Sequence, residues 1–501
     1  MDRRLHAIRD ELLTVDIDAT RRRFDLPADA EPLKTTISLC PRCLTHVPAA
    51  VYERGGRVWI RPRCDDHGPA VGVIENDINF YRLSNKDAWG RRFRDDLVHH
   101  IPPRSGGGCC GDDGCGSGAS CRSSTGDASD RPWTDQSSNK SCTVLVEVTD
   151  ACNLNCRVCY SDARGDRVLS VEQFRRYLDR AVRDRGGLDS VQLTGGEASM
   201  HPQFWTLVDD VYRRDGVRRI YLPTNGILFD NDAAVARLAD YRDKLLVLLQ
   251  FDGARRETNR RLRRAHPAVL RARLVDRLGV AGVAMQLTMT LTRGVNEDEA
   301  GWVVDTAYRH RHVKLVAMQP ATFSGRHDLD VDPTDRLTLS DVVKSVASQS
   351  RRGIRGGDFA PIPCSHPNCG WLSLMVRRFG LGFHLTRHID IASATQKAAY
   401  KTVLDRRQLS EVVGTAAPSL MRRWASAAGR RVVRPGDIFA VAVKPFMDRY
   451  NYDQDRVSHC CHHTMTTTGE LTSFCEYNAL LRPGDGWDAL DRMPCHAEPS
   501  G

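Results

Sequence analysis

Between residues 142 and 322 the chain alternates short β-rich segments with amphipathic helical stretches, and this alternation restricts the fold more than any other feature. Strands that alternate with helices are typical of βαβ units, which build a parallel sheet with right-handed crossovers. Six such strands are two short of a full TIM barrel. We therefore predict an α/β fold, a partial, open (β/α)6 TIM-like barrel with strands at 143–150, 190–197, 218–226, 244–253, 282–291 and 313–322.

The segments on either side of this core differ from it in composition. Residues 1–100 hold a charged helical lead-in and a compact cysteine knuckle. Residues 101–141 form a Gly/Ser/Cys-rich linker. Residues 142–322 are the predicted barrel, and residues 323–501 are a C-terminal extension with cysteines of its own. At 501 residues the chain is long enough for one catalytic domain with smaller modules.

Charge and hydropathy argue against secretion and against a membrane-spanning protein. The longest apolar runs, such as residues 438–443, fall far short of the roughly 20 residues that a bilayer span needs. The N-terminal residues alternate charged with apolar side chains and lack the apolar core of a signal peptide. We expect a cytoplasmic protein. Its net charge of +9 is carried by scattered arginines, not by a dense basic block, so no nucleic-acid partner is expected.

The chain has 17 cysteines, and most of them are clustered. Because the cytosol keeps thiols reduced, clustered thiols in an intracellular chain indicate metal sites and not disulfides. Cys495 stands alone. The others form five groups: Cys40, Cys43 and Cys64; Cys109, Cys110, Cys115, Cys121 and Cys142; Cys152, Cys156 and Cys159; Cys364 and Cys369; and Cys460, Cys461 and Cys475.

Cys152, Cys156 and Cys159 follow directly on the first predicted strand, with the spacing Cys-x3-Cys-x2-Cys. Three thiolates in such a loop can hold three irons of a [4Fe–4S] cluster and leave the fourth iron open to a small molecule. A zinc knuckle favours paired Cys-x2-Cys units, and a ferredoxin cluster takes four cysteines. The spacing, the aromatic Tyr160 and the place at the carboxyl end of a barrel strand therefore favour an open-iron cluster.

This loop resembles that of the radical S-adenosylmethionine (SAM) superfamily. Thr194-Gly195-Gly196-Glu197 ends the second predicted strand, and in that family the GGE segment binds the amino group of the methionine moiety. The resemblance implies that SAM is cleaved to a 5′-deoxyadenosyl radical, which abstracts hydrogen from an unactivated carbon. It also implies a ferredoxin, flavodoxin or reductase as electron donor. The predicted cofactor-binding residues are Tyr160, Gly195, Gly196, Glu197, Asn225, Gln250, Asp252, Thr288 and Gln319.

A second group of motifs lies outside the barrel. Two ligand pairs, each with two residues between its members, lie about 20 residues apart: Cys40 with Cys43, and Cys64 with His67. This spacing suits a mononuclear zinc or a rubredoxin-like iron. These knuckles, with Pro363-Cys364-Ser365-His366-Pro367-Asn368-Cys369 and the late Phe474-Cys475-Glu476, resemble tetraether lipid synthase-type radical SAM proteins. Besides the radical cluster we expect an auxiliary [4Fe–4S] cluster, with ligands drawn from Cys364, Cys369, Cys460, Cys461 and Cys475.

One region departs from those relatives, which carry a tight Cys-x3-Cys-x2-Cys segment before the barrel. Here the cysteines are more widely spaced, and a polar stretch separates them from the first strand. A second auxiliary cluster is a further prediction, and its ligand set stays open among Cys109, Cys110, Cys115, Cys121 and Cys142.

These resemblances lead to alternative predictions for the reaction. The first is C–C bond formation on a lipid chain, as in tetraether synthases, by a cytoplasmic enzyme that associates with the inner face of the membrane. The second is radical methylation of a pterin-like or other small molecule. A peptide-maturing enzyme fits less well, because the cysteine-dense run expected after Cys475 is absent. A metal-knuckle regulator that binds nucleic acid is an alternative of another class, but it leaves the GGE segment unexplained.

Overall fold

The structure is a computed structural model, and it describes residues 2–82, 89–93, 141–362, 365–378, 381–388 and 435–493. Five of the predicted cluster ligands lie outside the described residues: Cys109, Cys110, Cys115, Cys121 and Cys364. None of the described helices combines the length and the apolar character needed to cross a membrane.

The N-terminal part is a five-stranded antiparallel sheet preceded by two helices. Strand β2 is joined to β3 by Gly55 and Gly56, whose φ angles of 62° and 76° are those of a tight hairpin turn that glycine adopts without strain. Strand order is β1-β2-β3-β4, with β5 on β3. The elements are α1 (Asp2–Thr14), α2 (Ile17–Arg23), β1 (Glu31–Leu39), β2 (His46–Arg54), β3 (Arg57–Cys64), β4 (Gly68–Pro69), β5 (Gly72–Glu75) and α3 (Ile78–Tyr81).

All six predicted barrel strands are present and are mutually parallel, which confirms the α/β core. The core elements are β6 (Thr143–Thr149), β7 (Val158–Cys159), β8 (Arg167–Val168), α4 (Val171–Arg185), β9 (Leu188–Gly195), α5 (Phe204–Tyr212), β10 (Val217–Thr224), α6 (Asp232–Ala239), β11 (Leu245–Gln250), α7 (Arg256–Arg263), α8 (Ala268–Val280), β12 (Ala284–Leu291), α9 (Ala300–Arg309) and β13 (Val313–Pro320).

Each core strand has one face against the helices and one face toward the barrel interior. On β11, Leu245, Val247 and Leu249 are at most 1% exposed and belong to the main hydrophobic core. The intervening Leu246, Leu248 and Gln250 are half-buried on the opposite face. This alternation follows from the two-residue period of a strand, and it identifies which side chains can reach a molecule in the barrel.

The C-terminal extension adds a strand to each edge of the core sheet. Strand β18 pairs in parallel with β13, and β19 pairs in parallel with β6, so eight parallel strands lie in one sheet. No ladder joins β18 to β19 within the described segments, and the barrel is open. The elements are β14 (Arg326–His327), α10 (Leu339–Gln349), β15 (Ala360–Pro361), β16 (Trp371–Arg378), β17 (Leu381–His384), β18 (Ile438–Val443), α11 (Gln454–Ser458), β19 (His462–Met465), β20 (Leu471–Ser473), α12 (Phe474–Glu476) and β21 (Asp491–Arg492).

A buried ion triad joins the N-terminal sheet to this extension. The ammonium of Lys34 on β1 is 3.0 Å from a carboxylate oxygen of Asp453 and 2.9 Å from one of Asp455. All three side chains are at most 2% exposed. Because a buried charge is costly unless it is paired, the triad ties the N-terminal sheet to the segment that leads into Cys460.

Candidate functional site

The GGE segment lies directly against the start of the cysteine loop. The amide of Gly196 donates to the carbonyl of Thr149, and that of Glu197 to the carbonyl of Ala151, each at 2.8 Å. A Cβ atom on Gly196 would lie only 2.0 Å from the Ala151 oxygen, so a larger residue would push the two segments apart. Glycine is therefore required here by the close approach of two backbones. Cys152, Cys156 and Cys159 follow at the carboxyl end of β6, and each is partly exposed.

Glu197 is buried beside this loop. Its carboxylate accepts hydrogen bonds from Ser199 Oγ at 2.6 Å, Thr224 Oγ1 at 2.9 Å and the amide of Asn225 at 2.8 Å. Burial raises the pKa of Glu197, although these three donors act in the opposite direction. The sequence predicts that this carboxylate balances the charge of an ammonium group, and the structure holds it buried beside the cysteine loop.

Two buried donors without partners lie next to Glu197. Asn153, inside the cysteine loop, accepts from Asn225 Nδ2 at 2.7 Å, but its own Nδ2 has no hydrogen-bond partner among the described residues. The same holds for Nη2 of Arg271, which is 1% exposed and donates through Nε to the carbonyl of Asn225. Orphaned buried donors are rare in proteins and indicate a missing acceptor. A carboxylate for these donors and an ammonium for Glu197 are what the methionine end of SAM carries.

Arg271 was not predicted from the sequence. It lies on α8 (Ala268–Val280), on the buried face that also carries Leu274, Val275 and Leu278, and Glu197 and the Cys156 thiol both face its charge. The one available signal was a charged residue within an otherwise buried helical face, which a local pattern does not distinguish from an exposed arginine.

Asp252, which is predicted to contact SAM or substrate, is held by other residues of the barrel. Its oxygens accept from Arg263 Nε and Nη2 at 2.7 Å each, and from the amide of Thr290. Burial would raise the pKa of Asp252, but the charge of Arg263 lowers it overall. Arg263 in turn lies against the Cys156 thiol. Asp252 therefore positions an arginine beside a predicted cluster ligand.

The remaining strand-end residues form one polar patch on the inner face of the sheet. Gln250 is level with Thr288, and Thr290 is level with Gln319, across neighbouring strands. Gln250 Nε2 donates to the carbonyl of Thr288 at 3.1 Å and to Asp252 at 2.7 Å. The structure thus brings Gln250, Thr288 and Gln319 together on β11, β12 and β13.

Tyr160 faces the barrel interior. Its ring meets that of Phe474 edge-on, with 5.1 Å between centroids, and the rings of Phe474 and Phe446 are 4.7 Å apart. Burial raises the pKa of Tyr160 to about 12, so its hydroxyl stays protonated, and the side chain of Thr194 lies within hydrogen-bond reach of it. An aromatic cluster therefore extends from the cysteine loop to Cys475.

The four predicted knuckle residues come together. His67 Nδ1 is 3.7 Å from Cys40 Sγ and 3.6 Å from Cys64 Sγ, and the sulfurs of Cys43 and Cys64 are 3.9 Å apart. All four ligand atoms lie within 4.8 Å of one another. A tetrahedral zinc with Zn–S of about 2.3 Å and Zn–N of about 2.0 Å has ligand–ligand edges of roughly 3.5 to 3.8 Å. The donor set and its spacing fit a mononuclear zinc.

Three of the predicted auxiliary ligands also converge. Burial raises the pKa of Cys475 and of Cys460, and the negative charge of a Cys369 thiolate raises both pKa values further. Arg456 Nε donates to Cys369 Sγ at 3.4 Å and balances this concentration of thiols. Three close thiols with one arginine fit an iron–sulfur cluster.

Cys461, in contrast, packs with Cys142 in a separate buried cluster, and the amide of Cys142 donates to the carbonyl of Cys461 at 2.8 Å. Of the two neighbouring cysteines, Cys460 has a thiol that interacts with those of Cys369 and Cys475. The side chain of Cys142 is fully buried. The other predicted ligands of the second auxiliary cluster lie outside the described residues: Cys109, Cys110, Cys115 and Cys121.

Comparison with known proteins agrees with these sites. The family model for the radical SAM superfamily matches residues 146–307, and that for the HMPTM N-terminal zinc ribbon domain matches residues 32–76. A 7,8-dihydro-6-hydroxymethylpterin dimethyltransferase from Methanocaldococcus jannaschii is 25% identical over 90% of this chain and 94% of its own length. A GTP 3′,8-cyclase from Geobacter sulfurreducens is 29% identical over 35% of this chain, which spans 55% of that protein.

Among solved structures, a radical SAM methyltransferase from Sphaerobacter thermophilus has a TM-score of 0.32 at 12% identity, and the alignment covers 70% of this chain and 84% of that one. Residues 146–307 hold the cysteine loop, the GGE segment and the donors around Glu197, while residues 32–76 hold the four knuckle ligands. The chain is thus an enzyme with a radical SAM domain at residues 146–307 and an N-terminal zinc ribbon at residues 32–76.

Proposed function

We propose that this enzyme transfers methyl groups from SAM to carbon atoms of a pterin-like heterocycle. A pterin dimethyltransferase aligns over 90% of this chain and 94% of its own length, and the zinc ribbon model that matches residues 32–76 is of the HMPTM type. Identity of 25% leaves the substrate to be argued from the site itself.

The observation that carries the proposal is the polarity of the barrel interior. Carboxamides face inward from four of its strands, on Gln192, Gln250, Gln286 and Gln319. A lipid chain is stabilised by apolar walls with few polar contacts, since each carboxamide covered by hydrocarbon loses its bonds to water. A heterocycle with several ring nitrogens and oxygens supplies partners to such groups. The coupling of lipid chains stays a prediction that this inner face does not favour.

The part of the interior beside β6 is aromatic. Tyr160, Phe446 and Phe474 pack in one cluster with the inward-facing Leu145 of β6, which is level with Gln192 on the neighbouring strand. Flat rings pack well against aromatic side chains through offset or edge contacts, worth about 0.5 to 1.5 kcal/mol beyond the area buried. Amides beside aromatic rings suit a flat molecule with a polar edge.

The residues around the cysteine loop would then hold the cofactors. Cys152, Cys156 and Cys159 would bind the [4Fe–4S] cluster, while Glu197 and Arg271 would fix the ammonium and carboxylate of SAM. The bound cluster and SAM supply the radical chemistry that opens an unactivated C–H bond. The chain itself orients SAM over the interior and keeps water away from the reacting carbon. Enzymes of this superfamily also need an external electron donor.

The test is methyl transfer by the anaerobically reconstituted protein. We expect the protein, given a reductant and SAM with a trideuterated methyl group, to convert 7,8-dihydro-6-hydroxymethylpterin into a product that carries the label, detected by mass spectrometry. The Cys152→Ala variant is the matched control and should give none. A parallel reaction with perdeuterated lipid tests the alternative. Deuterium in 5′-deoxyadenosine from lipid, with no labelled pterin, would replace this proposal by the lipid one.

A further inference from the structure

Two inward-facing glutamines are neither among the predicted site residues nor among the residues described around the cysteine loop. Gln192 on β9 is 9% exposed, and Gln286 on β12 is 8% exposed. Their chain neighbours Val191, Leu193, Met285 and Leu287 are fully buried in the core against the helices. Because side chains alternate along a strand, both carboxamides point to the barrel interior.

The described part of the fold makes only one hydrogen bond with these two carboxamides. Within the described part of the chain, Gln192 makes no hydrogen bond through its side chain. Gln286 donates from Nε2 to Thr288 Oγ1 at 3.0 Å, which fixes its orientation, while no described group donates to its Oε1. The side-chain oxygens of Gln192 and Gln286 are not among the fully buried polar atoms that lack a partner. Both oxygens are therefore accessible from the barrel interior. Interior positions of such barrels are normally filled by Val, Ile or Leu, so two poorly bonded carboxamides there indicate a ligand.

Their depth separates them from the SAM site. Gln192 precedes Thr194 by two residues and therefore lies about 7 Å deeper along β9 than the start of the GGE segment. Gln286 precedes Thr290, whose amide bonds Asp252, by four residues, or about 13 Å of strand. SAM binds at the carboxyl ends of the strands, so these side chains face the space below it.

We propose that Gln192 and Gln286 recognise the hydrogen-bonding edge of the substrate heterocycle. A carboxamide offers a donor and an acceptor side by side, which matches a neutral ring edge that carries an adjacent acceptor and donor, such as the amino-oxo-pyrimidine edge of a pterin. A neutral partner is also what an uncharged pair of amides would select. The inference rests on the proposed function and extends it to the residues that determine specificity.

The experiment measures binding to the anaerobically reconstituted protein, separately for SAM and for 7,8-dihydro-6-hydroxymethylpterin. Gln192→Leu and Gln286→Leu should each weaken pterin binding by about 5- to 150-fold, since each leaves a buried ligand atom without its partner. SAM affinity should stay within twofold. Gln203→Leu, an exposed glutamine before α5, is the matched control and should change neither affinity.

A second measurement uses the unmodified protein with a pterin analogue that lacks the 2-amino group. The wild type should bind this analogue more weakly than the pterin, and the two Leu variants should distinguish the two ligands less. Wild-type protein that binds no pterin would contradict the proposed function. Pterin binding that survives both substitutions, or SAM affinity that falls as much as pterin affinity, would contradict the inference alone. Should a Leu variant fail to fold, the analogue comparison on the wild type decides.

Discussion

Glu75 gives a quantitative test of how the zinc ribbon docks on the rest of the enzyme. Its carboxyl group lies at the N-terminus of α10, where it accepts from Thr338 Oγ1 at 2.7 Å and also from the hydroxyl of Ser340. The side chain is 6% exposed, and burial raises the pKa of Glu75 from 4.5 to about 7. The folded protein therefore keeps this proton over a range of pH in which the unfolded chain has released it.

The sign follows from proton binding. Below pH 4.5 the carboxyl is protonated in both states and has no effect on the pH dependence. Between pH 4.5 and 7 the folded state binds more protons than the unfolded state, so stability falls as pH rises. At about 1.4 kcal/mol per pKa unit, a shift of roughly 2.5 units amounts to about 3 kcal/mol, lost fully above pH 7. Glutamine at position 75 does not titrate and removes this loss.

The assay is hydrogen exchange by mass spectrometry on the fully metal-loaded protein, because local opening is better defined than global unfolding in a chain of several modules. The wild type should lose protection in β5 and α10 between pH 5 and pH 8, after correction for intrinsic exchange. Glu75→Gln should gain protection relative to the wild type as pH rises, by up to about 3 kcal/mol. Glu257→Gln, at an exposed site on α7, is the control. A difference that does not vary with pH would refute the reasoning.

Three further outcomes test the metal and cofactor sites. Joint replacement of Cys152, Cys156 and Cys159 with Ala should remove one [4Fe–4S] cluster and abolish 5′-deoxyadenosine formation while zinc stays bound, and undiminished SAM cleavage would overturn the cluster assignment. Cys64→Ser should release the mononuclear metal and lower the thermal midpoint, since such sites contribute folding free energy; unchanged metal content would contradict this. Gly196→Ala should weaken SAM binding about tenfold or more, because its Cβ would meet the Ala151 oxygen at 2.0 Å. Gly357→Ala, whose Cβ meets nothing within 4 Å, should bind SAM normally.

Local patterns were enough to predict the centre of this enzyme. Six strands follow from β-rich segments at regular spacing, and the cysteine loop and GGE segment lie at the ends of the first two strands, where close parallel pairing brings them together. The knuckle ligands are likewise set by two short turns on one small sheet. In each case the interacting residues are neighbours in sequence or on adjacent strands.

Long-range pairing could not be predicted in this way. Strands β18 and β19 join opposite edges of the core sheet although they follow one another in the chain, and nothing in their periodicity selects those partners. Cys460 and Cys461 are adjacent, so spacing alone could not tell that Cys460 approaches Cys475 while Cys461 packs with Cys142. The alternation of side chains along a strand predicts that Gln192 and Gln286 face inward, but a single glutamine within a strand belongs to no recognisable motif.

The triad of Lys34 with Asp453 and Asp455 has a consequence for synthesis of the chain. The lysine precedes its partners by 419 and 421 residues. At about 5 to 20 residues per second, a ribosome needs roughly 20 to 80 s to make the intervening chain. During that interval β1 carries a charge that the finished fold buries completely, so the N-terminal sheet cannot reach its native packing before the segment around residue 455 emerges. Docking of the zinc ribbon is therefore a late event in biogenesis, and nascent chains cut short before that point should expose the ribbon to chaperones and proteases.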